Sequence, residues 1–179
     1  MKKIPTVFER DWEGDKALVT RKILVSIPAG AVATRKRDGM ACMVRGGSLF
    51  KRHDVKAGKV PPAGFEPCEV NPDAETGHWP GWIAVRDAPE NKHLLSVSAP
   101  SADGTYEFCG PKVQGNPEGL SEHRFFAHGG EVLGVVPVDF DGLKSYLAEH
   151  AVEGIVWWQA NKPLAKIKRR NFGLSWPIR

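Results

Sequence analysis

DFDGLKSYLAEHAVEGIVWWQANKPLAKIKRR, residues 139–170, is the stretch whose reading decides the fold. Leu143, Tyr146 and Leu147 fall at i, i+3 and i+4, one face of a helix, and the aspartates that open the segment suit its N-terminus. The spacing predicts a helix over 139–151 that ends at Glu153-Gly154. Beyond it, IVWWQ and LAKIKRR flank an Asn161-Lys162-Pro163 turn and predict an antiparallel hairpin.

Further N-terminal, the chain is cut into short pieces by 14 prolines and 19 glycines, a pattern that suits strands better than long helices. ALVTRKILVSI (17–27) and AGAVATRK (29–36) read as strands, the second stopping at the Asp38-Gly39 turn. MACMVR and SLFKRHDV, joined by Gly46-Gly47, read as a hairpin. Residues 56–80 read as loop. GWIAVRD (81–87), HLLSVSA (93–99), GTYEFCG (104–110) and EVLGVVPV (131–138) are further strand candidates. The expected class is α+β dominated by antiparallel sheet, in one domain over 1–179.

Composition narrows the function. The chain has 41% hydrophobic and 26% charged residues, enough for a sizeable core, and a net charge of +4. A pI near 9.0 fits a polyanionic partner. Cys42, Cys68 and Cys109 form no C-x-x-C pair, so a zinc ribbon or disulfide framework is not expected, and a reducing cytoplasm is. No apolar leader or long apolar run is present, which predicts neither secretion nor membrane insertion.

Four elements can carry chemistry. In Lys36-Arg37-Asp38-Gly39, a strand ends in a lysine and a tight turn. A lysine is a nucleophile only as the neutral amine, and lowering its pKa of about 10.4 by three units costs roughly 4 kcal/mol, which burial and nearby cations can supply. Taken alone, the motif also describes a charged surface turn. In AKIKRR (165–170), strand alternation puts Lys166 and Lys168 on one face and Ile167 on the other; the pair makes a cradle for phosphates, though taken alone the segment reads better as a solvated edge strand. Glu153 opens a Trp-rich strand, where a lysine or a divalent cation would justify its burial; it also fits an exposed helix end. Glu107 lies inside the apolar run Tyr106-Glu107-Phe108 and can equally face outward.

Taken in order over residues 36–168, K-x-D-G, an acid in a strand, E-G-[IV]-V and K-I-K resemble the covalent nucleotidyltransferase superfamily of RNA ligases, DNA ligases and mRNA capping enzymes. TGHWPGWIAV (76–85), EFCGPKVQGNPEG (107–119), EGIVWW (153–158) and KIKRRNFGLSWP (166–177) look like the ATP-dependent RNA ligases of the RNA ligase 1 family. The resemblance implies an antiparallel-sheet nucleotidyltransferase domain, the ATP-grasp-like adenylylation domain of ligases. It implies ATP and Mg²⁺ (or Mn²⁺) as cofactors and RNA with 5′-phosphate and 3′-hydroxyl ends as partner. Lys36 would take up AMP, with Asp38 and Gly39 beside it in the nucleotide site, and Lys166 and Lys168 would grip the phosphates. Glu153 would help hold the metal, and Glu107 would be the ribose- or metal-side acid. Phe126 is the candidate to stack on adenine, with Phe125 close behind. Arg52 would contact AMP or the RNA 5′-phosphate.

Two departures bear on the resemblance. The sequence ends at Arg179, eleven residues after Lys168, so no OB-fold is expected, and Arg169, Arg170 and the basic run 51–59 are candidates to grip RNA instead. DNA ligases usually carry arginine two positions after the K-x-D-G glycine, where this chain has Ala41, and Arg52 is a candidate substitute. A capping guanylyltransferase, a minimal DNA ligase and a non-catalytic nucleotide- or RNA-binding module are the alternative functions. Of the aromatics that could stack on bases, Trp157 and Trp158 point to opposite faces of one strand, and most of Trp79, Trp82, Trp157 and Trp158 are expected in the core.

Overall fold

Alternating apolar residues and glycine turns organise the chain into short antiparallel strands. The computed structural model describes residues 2–74 and 76–178. Among them the order is β1 (Phe8–Arg10), β2 (Val19–Ile23), β3 (Val32–Lys36), β4 (Met40–Arg45), β5 (Ser48–Val55), β6 (Glu66–Pro67), β7 (Trp79–Ala84), β8 (Gly104–Cys109), β9 (Arg124–Ala127), α1 (Phe140–Glu149), β10 (Gly154–Gln159) and β11 (Lys162–Lys168). No helix among these residues is long and apolar enough to cross a membrane. The chain divides into two compact units, residues 1–3 with 39–127, and residues 4–38 with 128–179.

In the first unit, a six-stranded antiparallel sheet runs β6-β7-β5-β4-β8-β9. The β4–β5 hairpin turns at Gly46 and Gly47, both with positive φ, as the Gly-Gly pair predicts. One sheet face carries Cys42 and Phe108, which pack with Leu94, Val113 and Phe125. HLLSVSA (93–99) is not a strand. Ser96 donates to the carbonyl of His93 and closes a turn, and Leu94 reaches the core from a loop whose backbone joins no sheet.

The second unit holds the three-stranded sheet β11-β10-β3, with β1–β2 as a separate ribbon. Asp139 caps α1 by accepting from Gly142 N–H at 2.9 Å, and Leu143 and Leu147 are fully buried. They pack on Ile155, Trp157, Ala165 and Ile167, the apolar face of β10 and β11. The hairpin turns at Ala160 and Asn161, both at positive φ, so Lys162 and Pro163 already belong to β11. Nor is β11 a solvated edge: the backbone of Pro5 and Val7 hydrogen-bonds both sides of the Lys166 peptide. EVLGVVPV (131–138) is not a strand beyond its first residues. It runs along β3 only from Glu131 to Leu133, and Gly134 and Pro137 then turn it away, leaving Val135 exposed. The β9 strand, which pairs with β8, was not expected from the sequence.

Leu147→Ala should lower stability by about 2–5 kcal/mol through the cavity it leaves. Urea unfolding followed by tryptophan fluorescence reads this, because Trp157 packs in the same cluster.

Candidate functional site

Three strands of the second unit bring the lysines together. Gly154 on β10 lies opposite Lys36 of β3 on one side and Lys168 of β11 on the other. One rung further, Val156 lies between Thr34 and Lys166. Residues paired across a sheet share a face, so Lys36, Lys166 and Lys168 all stand opposite the face that packs on α1. Gly154 is required there, because a Cβ would run into the carbonyl of Ile167. The bare backbone leaves the two flanking lysines room to close on Glu153, one residue before. Lys36 Nζ lies 2.5 Å from Glu153 Oε2, and Lys168 Nζ lies 2.6 Å from Oε1. Lys36 also donates to the carbonyl of Arg37 at 3.2 Å.

Burial pushes the Glu153 carboxyl upward, but Lys36 and Lys168 outweigh it and hold the group below the ordinary carboxylate value. For Lys168, burial and the charge of Lys36 prevail over Glu153 and lower the pKa. Lys166 is lowered furthest, to about 7, by burial first and then by the charges of Lys168, Lys36 and Arg10. Lys36 and Lys168 thus meet on one carboxylate in a half-buried cluster that Lys166 joins from the same sheet face, and an arriving polyphosphate would find three lysines together. A polyphosphate group therefore fits these lysines.

The first unit carries Arg52, Glu107 and Phe126 on a single sheet face, while Asp38 belongs to the second unit and Gly39 precedes β4. Ala41, Glu107 and Phe126 are paired across β4, β8 and β9. Cys42 pairs with Lys51, so alternation puts Arg52 on the same face as Ala41 on the neighbouring strand, paired in turn with Trp82. Arg52 stands over the Trp82 ring at 5.5 Å and donates to Cys68 Sγ at 3.6 Å. Glu107 Oε1 accepts the Gly39 N–H at 2.9 Å, and a side chain at Gly39 would collide with the Phe108 carbonyl. Phe125 packs against Phe108 in the core at 4.7 Å, whereas Phe126 lies on the opposite face beside Arg124. Trp157 is core, and Trp158 donates its Nε1–H to Thr34 Oγ1 at 2.9 Å.

Among the described residues, no group of three His, Cys, Asp or Glu side chains is placed to hold a metal ion. Both oxygens of Glu153 are taken by ammonium groups, and Glu107 gives one to Gly39 N–H. A divalent cation would therefore meet Glu153 through water and not as a direct ligand. Arg169 is not available to grip RNA: its guanidinium is buried and donates to the carbonyls of Leu147, His150 and Ser175, closing the C-terminal end of α1. Sequence reasoning missed Glu131, which pairs with Arg35 and Arg37 on either side of Lys36. The only available signal was the Arg-Lys-Arg triplet, whose alternation separates Arg35 from Lys36.

Residues 95–179 match the family model described as RNA ligase 1. That stretch includes Glu107, Phe126, Glu153, Lys166 and Lys168, and lies C-terminal to Lys36, Asp38, Gly39 and Arg52. RNA ligase 1 of Pongo abelii is 29% identical over 157 residues, covering 66% of this chain and 48% of that protein. RNA ligase 1 of Danio rerio is 31% identical over 141 residues, covering 58% of this chain and 43% of that protein. The Rattus norvegicus protein of the same name is 28% identical over a stretch of equal length. The chain spans about half the length of the curated relatives it matches. These likenesses set it close to the RNA ligase 1 family.

Lys166 gives the cluster a pH signature. Its folded pKa of about 7 lies below the ordinary 10.5, so between those values the unfolded chain binds the extra proton and stability rises with pH. Below pH 7 the buried charge is present in full and destabilises the fold. Lys166→Met should therefore raise the melting temperature most at pH 6, with the gain shrinking toward pH 9.

Proposed function

We propose that this protein is an ATP-dependent RNA ligase in which Lys36 takes up AMP, with residues 1–179 as a nucleotidyltransferase-type adenylylation domain. The observation that carries the reading is the lysine cluster: Lys36 at a strand end, held by a buried carboxylate, with Lys166 and Lys168 on the same sheet face. The likeness to RNA ligase 1 supports RNA as the substrate class.

The chemistry follows from those groups. Lys36 must shed a proton before it can attack, and Glu153 Oε2 is the carboxylate oxygen within reach of it. The amine then forms a bond to the α-phosphorus of ATP as the bond to pyrophosphate breaks. Lys166 and Lys168 stabilise the charge that builds on the α-phosphate and on the departing pyrophosphate. An RNA 5′-phosphate oxygen next displaces Lys36 from the AMP phosphorus. An RNA 3′-hydroxyl oxygen finally attacks that 5′-phosphorus, expelling AMP and closing the phosphodiester. Mg²⁺ or Mn²⁺ accompanying ATP would add positive charge at the phosphates, and Glu153 or Glu107 would reach it through water. On the first unit, Phe126 is our candidate for stacking on adenine and Glu107 for the ribose side. Arg52, opposite the small Ala41, is our candidate for contacting AMP or the RNA 5′-phosphate. We assign this work to the cytoplasm, where the three thiols persist unoxidised.

Incubation with α-³²P-ATP and Mg²⁺, followed by denaturation, should leave label on the protein, and Lys36→Ala should remove it together with the joining of RNA ends. Joining that survives in Lys36→Ala would sink the mechanism. Label from GTP instead would indicate capping, and sealing of nicked DNA but not RNA a DNA ligase. RNA binding without label from either nucleotide would indicate a binding module.

A further inference from the structure

Arg35 and Arg37 stand on either side of Lys36 in the chain, and one residue holds both. Glu131 Oε1 lies 3.3 Å from Arg35 Nη1, and Oε2 lies 2.7 Å from Arg37 Nη2. The carbonyl of Glu131 also accepts the Arg35 N–H at 2.9 Å. The next residues continue the contact: Val132 bridges Thr34, and Leu133 N–H donates to the Ala33 carbonyl. On the other side, Gly129 sits so close to Trp158 that a Cβ would stand 3.2 Å from its ring, and Trp158 is itself bonded to Thr34. Residues 131–133 thus form a rail along β3 that reaches Arg35, the residue before Lys36.

We infer that Glu131 is a positioning residue for Lys36: by gathering Arg35 and Arg37 on one carboxylate, it holds the end of β3 where Lys36 faces Glu153 and Lys168. Glu131 is 44% exposed, so its ion pairs are screened and add little to global stability. Their effect is local. A strand end that frays moves Lys36 off its partner without unfolding the unit, and small misplacements of a reacting group cost rate steeply.

The test has two arms, of which only the first rests on the proposed role of Lys36. At saturating ATP, Glu131→Ala should slow AMP labelling about tenfold, with the half-saturating ATP concentration unchanged. Glu131→Gln, which keeps the reach and one acceptor, should fall between. Glu9→Gln removes a different ion pair of the same unit, with Lys22, and should change nothing. The second arm measures acetylation of Lys36 by acetic anhydride, relative to exposed Lys162, by peptide mass spectrometry. In Glu131→Ala, Lys36 should acetylate several-fold faster while the melting temperature barely moves. Acetylation at the wild-type rate would overturn the inference. Faster acetylation in a protein that takes no AMP even as wild type would uphold the positioning role and remove the ligase reading instead.

Discussion

Glu153 bridges Lys36 and Lys168, one carboxylate oxygen to each, in a position only 6% exposed. A carboxylate withdrawn from water this far is tolerable because both oxygens meet charged donors, and losing either lysine would leave one buried oxygen without its donor. The rest of the second unit follows from that requirement. The strands β3, β10 and β11 must hold register so that the lysines flank Gly154, and Gly154 must stay bare so that they can close over it. Register is secured from the opposite face, where Ile155, Trp157 and Ile167 are buried against α1; a slip of one residue would send the lysines into that core. Lys166, the third lysine, makes no ion pair among the described residues and stands on the same sheet face as the other two.

Close backbone approach accounts for both motif glycines. At Gly39 a side chain would meet the carbonyl of Phe108, and at Gly154 that of Ile167. Neither residue has positive φ, so their need for glycine is steric and not conformational. Each approach is used by an acid: Glu107 accepts the Gly39 N–H, and Glu153 receives the lysines that flank Gly154. The chain passes from the second unit to the first between these motif residues, at Asp38-Gly39. In the first unit the same economy of space recurs at Ala41, whose small side chain stands between Glu107 and Arg52 on one sheet face.

Local signals made most of the fold legible. The Gly46-Gly47 hairpin, the α1 helix with its Asp139 cap and the two arms of the β10–β11 hairpin each depend on turn chemistry or periodicity within a few residues. Reading failed where an apolar run was buried without a strand partner, as in HLLSVSA, or where pairing stopped after three residues, as in EVLGVVPV. Both runs have strand composition, and hydrophobicity cannot say whether a neighbouring strand will be there to accept the hydrogen bonds.

For the candidate site, the sequence by itself determined which residue types were present and which shared a face along one strand: Lys166 with Lys168, apart from Ile167. Those relations are local, because side-chain direction in a strand alternates whatever the partner. Tertiary structure decided everything that crosses strands: that Glu153 pairs with Lys36 and Lys168, that Phe126 and not Phe125 leaves the core face, that Arg169 closes a helix, and that Glu131 steadies the strand of Lys36. Glu131 and Lys36 are 95 residues apart in the chain, and their relation depends on the register in which distant strands meet, which no local pattern encodes.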